Sequence, residues 1–95
     1  MVINAEIIPK EQLSGFRFAE EDVLSDASKR SIRHAWLKKA ERLGNGYKGK
    51  VKMIFKSKLG KIYSVETTIW AIMDDYVALK GGISVPIKAV LDIEF

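Results

Sequence analysis

Five lysines, Lys48, Lys50, Lys52, Lys56 and Lys58, occupy even-numbered positions in one short stretch. On a regular β-strand such residues point to one side, about 7 Å apart at successive i, i+2 positions. Ile54 is the gap in the row. A row of ammonium groups at this spacing can follow a phosphate backbone, neutralising charge and releasing counterions. The row belongs to a wider basic block. From Lys29 to Lys61 the chain holds twelve Lys or Arg and one acid, Glu41, a local charge of +11. Residues 1–28 carry −4 and residues 62–95 carry −3, so the net +4 conceals a strongly basic middle between acidic flanks. A field of that kind steers polyanions.

The helix ahead of the row adds Lys29, Arg30, Arg33, Lys38 and Arg42, scattered around its circumference, while Lys39 falls on the apolar stripe, its stem expected along the core and its ammonium in water. Arg33 and the aromatic Tyr47 join the five lysines as candidate nucleic-acid contacts, Tyr47 as a platform on which a base could stack. The plainer reading of the lysines is a solvated edge strand protected from aggregation. Of the other aromatics, Trp36 falls on the helix's apolar stripe and is expected in the core. Tyr63 and Trp70 lie seven residues apart, hence on opposite sides of an unbroken strand, which puts at least one of them in the core.

Catalysis finds no support. His34, the one histidine, lies across the helical wheel from the apolar stripe, and no serine or acid is set beside it by a motif. No His or Cys cluster suggests a metal, and no cofactor is expected. Asp74-Asp75 reads as turn chemistry. Gly81-Gly82 joins strand to strand and opens no helix, so it lacks the free N–H groups of a phosphate loop. The chain has no cysteine, in keeping with a reducing cytoplasm. Its opening, MVINAEIIPKE, lacks the basic start and apolar run of a secretory signal. No apolar run approaches the ~20 residues of a membrane span.

These residues need elements to hold them. At 95 residues and 47% hydrophobic, the chain is read as one domain with a real core. Residues 1–24 are the least legible: a short strand within Val2–Ile8, a turn at Ser14-Gly15, and a second short strand with Phe16 and Phe18 on one side. A helix is expected over 25–43, with Ser25 as N-cap and Asp22 as the alternative. Its apolar stripe is Ile32, Ala35, Trp36, Ala40 and Leu43, and Gly44-Asn45-Gly46 ends it. From Tyr47 the period changes to two. Five short antiparallel strands follow through residue 95, with a hairpin at Leu59-Gly60, a bend near Thr67-Thr68 in a long second strand, turns at Asp74-Asp75 and Gly81-Gly82, and an interruption at Pro86. The fold class is α+β, mostly β: a helix preceding a small SH3-like barrel.

This order of elements, with the short break Pro86-Ile87-Lys88-Ala89-Val90 before the last strand, resembles the Sm-like proteins, the family that contains the bacterial RNA chaperone Hfq. The resemblance spans about residues 26–95 and rests on element order. The family's Asp-x-hydrophobic-Asn would fall at Asp74-Asp75-Tyr76-Val77-Ala78, where there is no Asn, so no base-binding residue carries over. The tail also resembles those of small uncharacterised bacterial proteins. The resemblance implies RNA as a ligand ahead of DNA, and a homo-oligomer built through strand edges within Ile83–Phe95. The alternative is a protein-interaction or scaffold module that uses those edges, or its basic side, on an acidic partner.

Overall fold

The helix forms where an acid can cap it and where a glycine lets it lie close to a strand. In the computed structural model, which describes residues 5–95 except Lys48 and, of Tyr47, the backbone alone, α1 runs from Ala27 to Tyr47. Asp26 caps it, not Ser25: its Oδ1 accepts the Ser28 N–H at 2.9 Å and the Ser28 hydroxyl at 2.7 Å, and its carbonyl accepts the Arg30 N–H. The helix also outlasts the expected stop at Gly44-Asn45-Gly46. Gly44 does not supply a left-handed conformer here. It is buried, and a Cβ at this position would collide with the Ile69 carbonyl oxygen. The glycine is spent on close approach between α1 and the sheet, so the helix continues one more turn.

The buried side of α1 is Arg33, Leu37, Ala40 and Gly44, one residue out of step with the expected stripe. Ile32 is 54% exposed and Trp36 40%, and Ala35 is exposed too. Of the expected stripe, only Ala40 is fully buried and Leu43 partly so. Trp36 is therefore not a core residue.

Among the described residues seven strands form two sheets. The first sheet is ordered β1 (Glu6–Ile7), β3 (Ile62–Thr67), β2 (Val51–Lys56), β7 (Val90–Glu94); the second is β4 (Ile69–Ile72), β5 (Tyr76–Leu79), β6 (Ile83–Pro86). All neighbours are antiparallel except β1 on β3. The expected long second strand breaks at Thr68 into β3 and β4, and each half joins a different sheet. Among the described residues no ladder closes the two sheets into a ring, so the expected five-stranded barrel is replaced by two separate sheets. Turns hold the hairpins: Gly60 at φ 91° after β2, and Gly81 and Gly82 at φ 97° and 84° after β5. A 3₁₀ turn, Ile87–Ala89, fills the break after Pro86.

The first strand is described only from Glu6; residues 1–4 lie outside the described residues. Phe16 and Phe18 do not form a strand beyond a single bridge, Phe18 to Ser57. Their rings pack 4.9 Å apart and close over Phe55 at 5.3 and 5.6 Å. The centre of the core is Phe55, Leu37, Met53, Ile69, Leu79 and Val65.

The helix–sheet contact at Gly44 sets a prediction. Gly44→Ala is expected to lose about 2 kcal/mol or more of stability through overpacking, since the obstruction is backbone that cannot turn aside. Urea unfolding measures it, and an unchanged midpoint would contradict the close approach.

Candidate functional site

Strand β2 presents the lysines as its alternation requires. Val51, Met53 and Phe55 are buried on one side; Lys50 and Lys52 are exposed and Lys56 half-exposed on the other. Ile54 is buried and interrupts the row. Lys58 stands exposed in the turn that follows. Lys48 and the Tyr47 side chain lie outside the described residues.

Register adds acids that the strand alone does not reveal. Lys52 lies opposite Glu66 on β3 and Glu94 on β7, with its Nζ 3.8 Å from Glu94 Oε1. Lys58 pairs with Glu20 at 3.1 Å and Lys61 with Glu6 at 2.8 Å. The Glu6 hydrogen bond raises the Lys61 pKa. These pairs are exposed, so each is worth little in stability, yet each spends positive charge locally. Among the described residues, Lys50 and Lys56 make no ion pair.

Arg33 departs from the expected set. It is 6% exposed and forks onto Asp22, Nη1 donating to Oδ1 at 2.9 Å and Nη2 to Oδ2 at 2.8 Å. Nη1 also donates to the Val90 carbonyl at 3.1 Å. Planar two-point pairing is the strong geometry for guanidinium and carboxylate. The buried Nε has no partner. A group so engaged is a fastener between segments, not a phosphate contact. Arg30 reinforces it, donating from Nε to the Leu24 carbonyl at 2.6 Å and lying 3.5 Å from Asp22. The Arg33 hydrogen bonds hold the Asp22 carboxyl below its ordinary 3.8, against burial, with the Leu24 N–H and the two arginine charges assisting.

The aromatics divide differently from the sequence expectation. Tyr63 is half-buried, edge-on to Phe16 at 5.1 Å and stacked on Phe55 at 6.0 Å. Trp70 is 47% exposed. Trp36 stands outside beside Phe95, which is itself 52% exposed. Phe95 was not a candidate in the sequence; the alternation of Leu91, Ile93 and Phe95 points it to the core side, where the strand's end leaves it partly uncovered. His34 is exposed. A broad depression of about 900 Å³ borders Asp22, Arg33, Asp74, Asp75, Tyr76 and Lys88. Its acids outnumber its bases, so it offers no preference for phosphate. Among the described residues no cluster of His, Cys, Asp and Glu could hold a metal ion, and no helix is long and apolar enough to cross a membrane.

The Asp22–Arg33 fork predicts an acid limb. Asp22→Asn keeps the shape and removes the charge, leaving a buried guanidinium unbalanced; the expected cost is about 3 kcal/mol. Because the folded Asp22 pKa is depressed, its contribution is complete above the unfolded value near 3.8 and is lost as pH falls through the lower folded value. Urea denaturation across pH should show a shallower acid limb in the variant. Equal stability and an identical acid limb would contradict the assignment.

Comparison with protein families, with curated proteins and with solved structures found no match, so the function has to be argued from the site itself.

Proposed function

We propose that this chain is a small, non-enzymatic accessory protein that binds nucleic acid, RNA ahead of DNA, by contacting phosphates along the lysine-bearing side of β2. One observation carries the reading: Lys50, Lys52 and Lys56 share the solvent side of a strand whose opposite side is anchored in the core by Val51, Met53 and Phe55. The backbone beneath such a row is held in place by packing, so only the lysine side chains are ordered on binding. Lys58 extends it into the turn. Phosphate contacts position a ligand and carry no base information, so sequence selectivity is slight. Glu66 and Glu94 beside Lys52 temper the attraction. Lys50 and Lys56 then bear most of the phosphate contact. RNA is put ahead of DNA on the sequence's resemblance to the Sm-like proteins alone.

The second reading is a protein-interaction module or homo-oligomer using strand edges within Ile83–Phe95. The observation in its favour is that β6 and β7 each end a sheet. Edge strands invite pairing with another chain. Strand β7 is partly stopped, because the Asp92 carboxylate takes the Ile93 N–H at 2.8 Å and Arg33 takes the Val90 carbonyl. The β6 edge is the better candidate. Size-exclusion with light scattering tests the homo-oligomer: edge pairing between copies requires a mass above one subunit, which phosphate binding does not.

For single-stranded RNA, log affinity falls with log salt at a slope of about −0.7 per phosphate contact. Removing two contacts in Lys50→Glu/Lys56→Glu should flatten the slope by about 1.4 and abolish binding at near-physiological salt. Glu94→Gln, which frees Lys52, should strengthen binding. Fluorescence anisotropy of labelled RNA measures all three. An unchanged affinity in the double lysine variant would remove the lysine row as the site.

A further inference from the structure

The pair Trp36–Phe95 lies at the end of the lysine row, where α1 meets the last residues of β7. The rings stand 5.7 Å apart, tilted by 55°. Lys39 Nζ sits 4.4 Å from the Phe95 ring centre and 5.4 Å from that of Trp36. On one side of the pair a depression of about 210 Å³ is bordered by Lys29, Ile32, Trp36 and Leu91. On the other side one of about 200 Å³ is bordered by Lys50, Val51 and Phe95. An exposed strip of apolar and aromatic surface thus runs between three cations, Lys29, Lys39 and Lys50. Three acids also border it: Asp92 takes the Ile93 N–H, Glu94 pairs with Lys52, and Glu66 lies opposite Lys52 on β3.

Resting on the nucleic-acid reading above, we propose that this strip is the base-stacking part of the site and makes the protein a binder of single strands. Bases stack on Trp36 and Phe95 while phosphates engage Lys39 and Lys50. Aromatic side chains accept any base because every base has a π-face. A duplex hides those faces and gains nothing from the strip. The Lys39 ammonium now over the rings marks them as electron-rich surfaces open to a cation. An arriving base takes that place, and the ammonium turns to the adjoining phosphate. The charge of the strip selects an anionic strand over a neutral apolar partner.

The chain has two tryptophans, so Trp70→Phe leaves Trp36 as the sole reporter. Titrating this variant with oligouridylate is expected to quench Trp36 emission, and an RNA hairpin duplex of equal length is expected to leave it unchanged. Trp36→Ala and Phe95→Ala should each weaken oligouridylate binding roughly ten-fold or more and leave duplex binding at its wild-type value. Trp36→Phe, which preserves packing, should retain most of the affinity. The quenching needs no change at the strip, so a folding defect in an alanine variant does not remove the test. Unquenched Trp36 with wild-type affinity in both alanine variants, while Lys50→Glu/Lys56→Glu loses binding, would overturn the stacking and leave the lysine row standing. No binding of any nucleic acid by the wild type at near-physiological salt would remove the nucleic-acid reading and the stacking with it. A shift in Trp36 emission with protein concentration, accompanied by a doubled mass and indifferent to oligouridylate, would overturn the proposal in favour of a second copy on the strip.

Discussion

A buried guanidinium fixes how this molecule is put together. Arg33 is the single charged side chain more than nine-tenths buried among the described residues, and it joins three parts of the chain: its own helix, the segment before it through Asp22, and β7 through the Val90 carbonyl. Burying a charge is costly unless a counter-charge and hydrogen bonds come with it, so the three parts must meet with this geometry. Helical spacing then dictates the rest of the inner side: Leu37, Ala40 and Gly44 follow Arg33 inward. Ile32 and Trp36 are turned outward by the same rotation. The exposed aromatic strip beside Phe95 is thus a consequence of where one charge is buried.

Folding also redistributes the charge written along the sequence. The acidic flanks return onto the basic middle: Glu6 to Lys61, Glu20 to Lys58, Asp22 to Arg30 and Arg33, Glu94 to Lys52. Within the middle, Lys38 takes Glu41. Glu41 is used twice, since its other oxygen accepts the Ile72 N–H at 2.7 Å and ties α1 to β4. The block of +11 is therefore far less basic in space than in sequence. Among the described residues of the block, Lys29, Lys39, Arg42, Lys50 and Lys56 make no ion pair, and this remainder is the relevant quantity for a polyanion.

The parts of the fold legible in the sequence are those set by local rules. The switch to a period of two after Tyr47, the turns at Leu59-Gly60 and Gly81-Gly82 and the outward lysines of β2 follow from alternation and turn chemistry; a change of direction near Thr67-Thr68 is legible too, though not that it splits the strand between two sheets. The misread parts depend on partners distant in sequence. An arginine is excluded from any apolar stripe read off a wheel, so its burial against Asp22 rotated the helix's inner side by one residue. Gly44 reads as a stop until the Ile69 backbone is seen against it. The glutamates opposite Lys52 are visible as acids on alternating positions of β3 and β7, but only the strand register shows that they adjoin Lys52. The two-sheet arrangement depends on β7 returning to β2, which sets Met53 opposite Ile93, while β4 turns away to β5.

The account's central claim is that one surface, running from the outward side of β2 round the sheet's end at Phe95 to Trp36 on α1, meets a nucleic-acid strand. Mapping ¹H–¹⁵N chemical-shift changes on adding oligouridylate tests it most directly. The account predicts changes concentrated at Trp36, including its indole N–H, and at Lys39, Lys50, Lys52, Lys56 and Phe95, with β5 and β6 unmoved. Changes confined to the Tyr76–Ser84 side of the second sheet, or an unaltered spectrum at near-physiological salt, would contradict it.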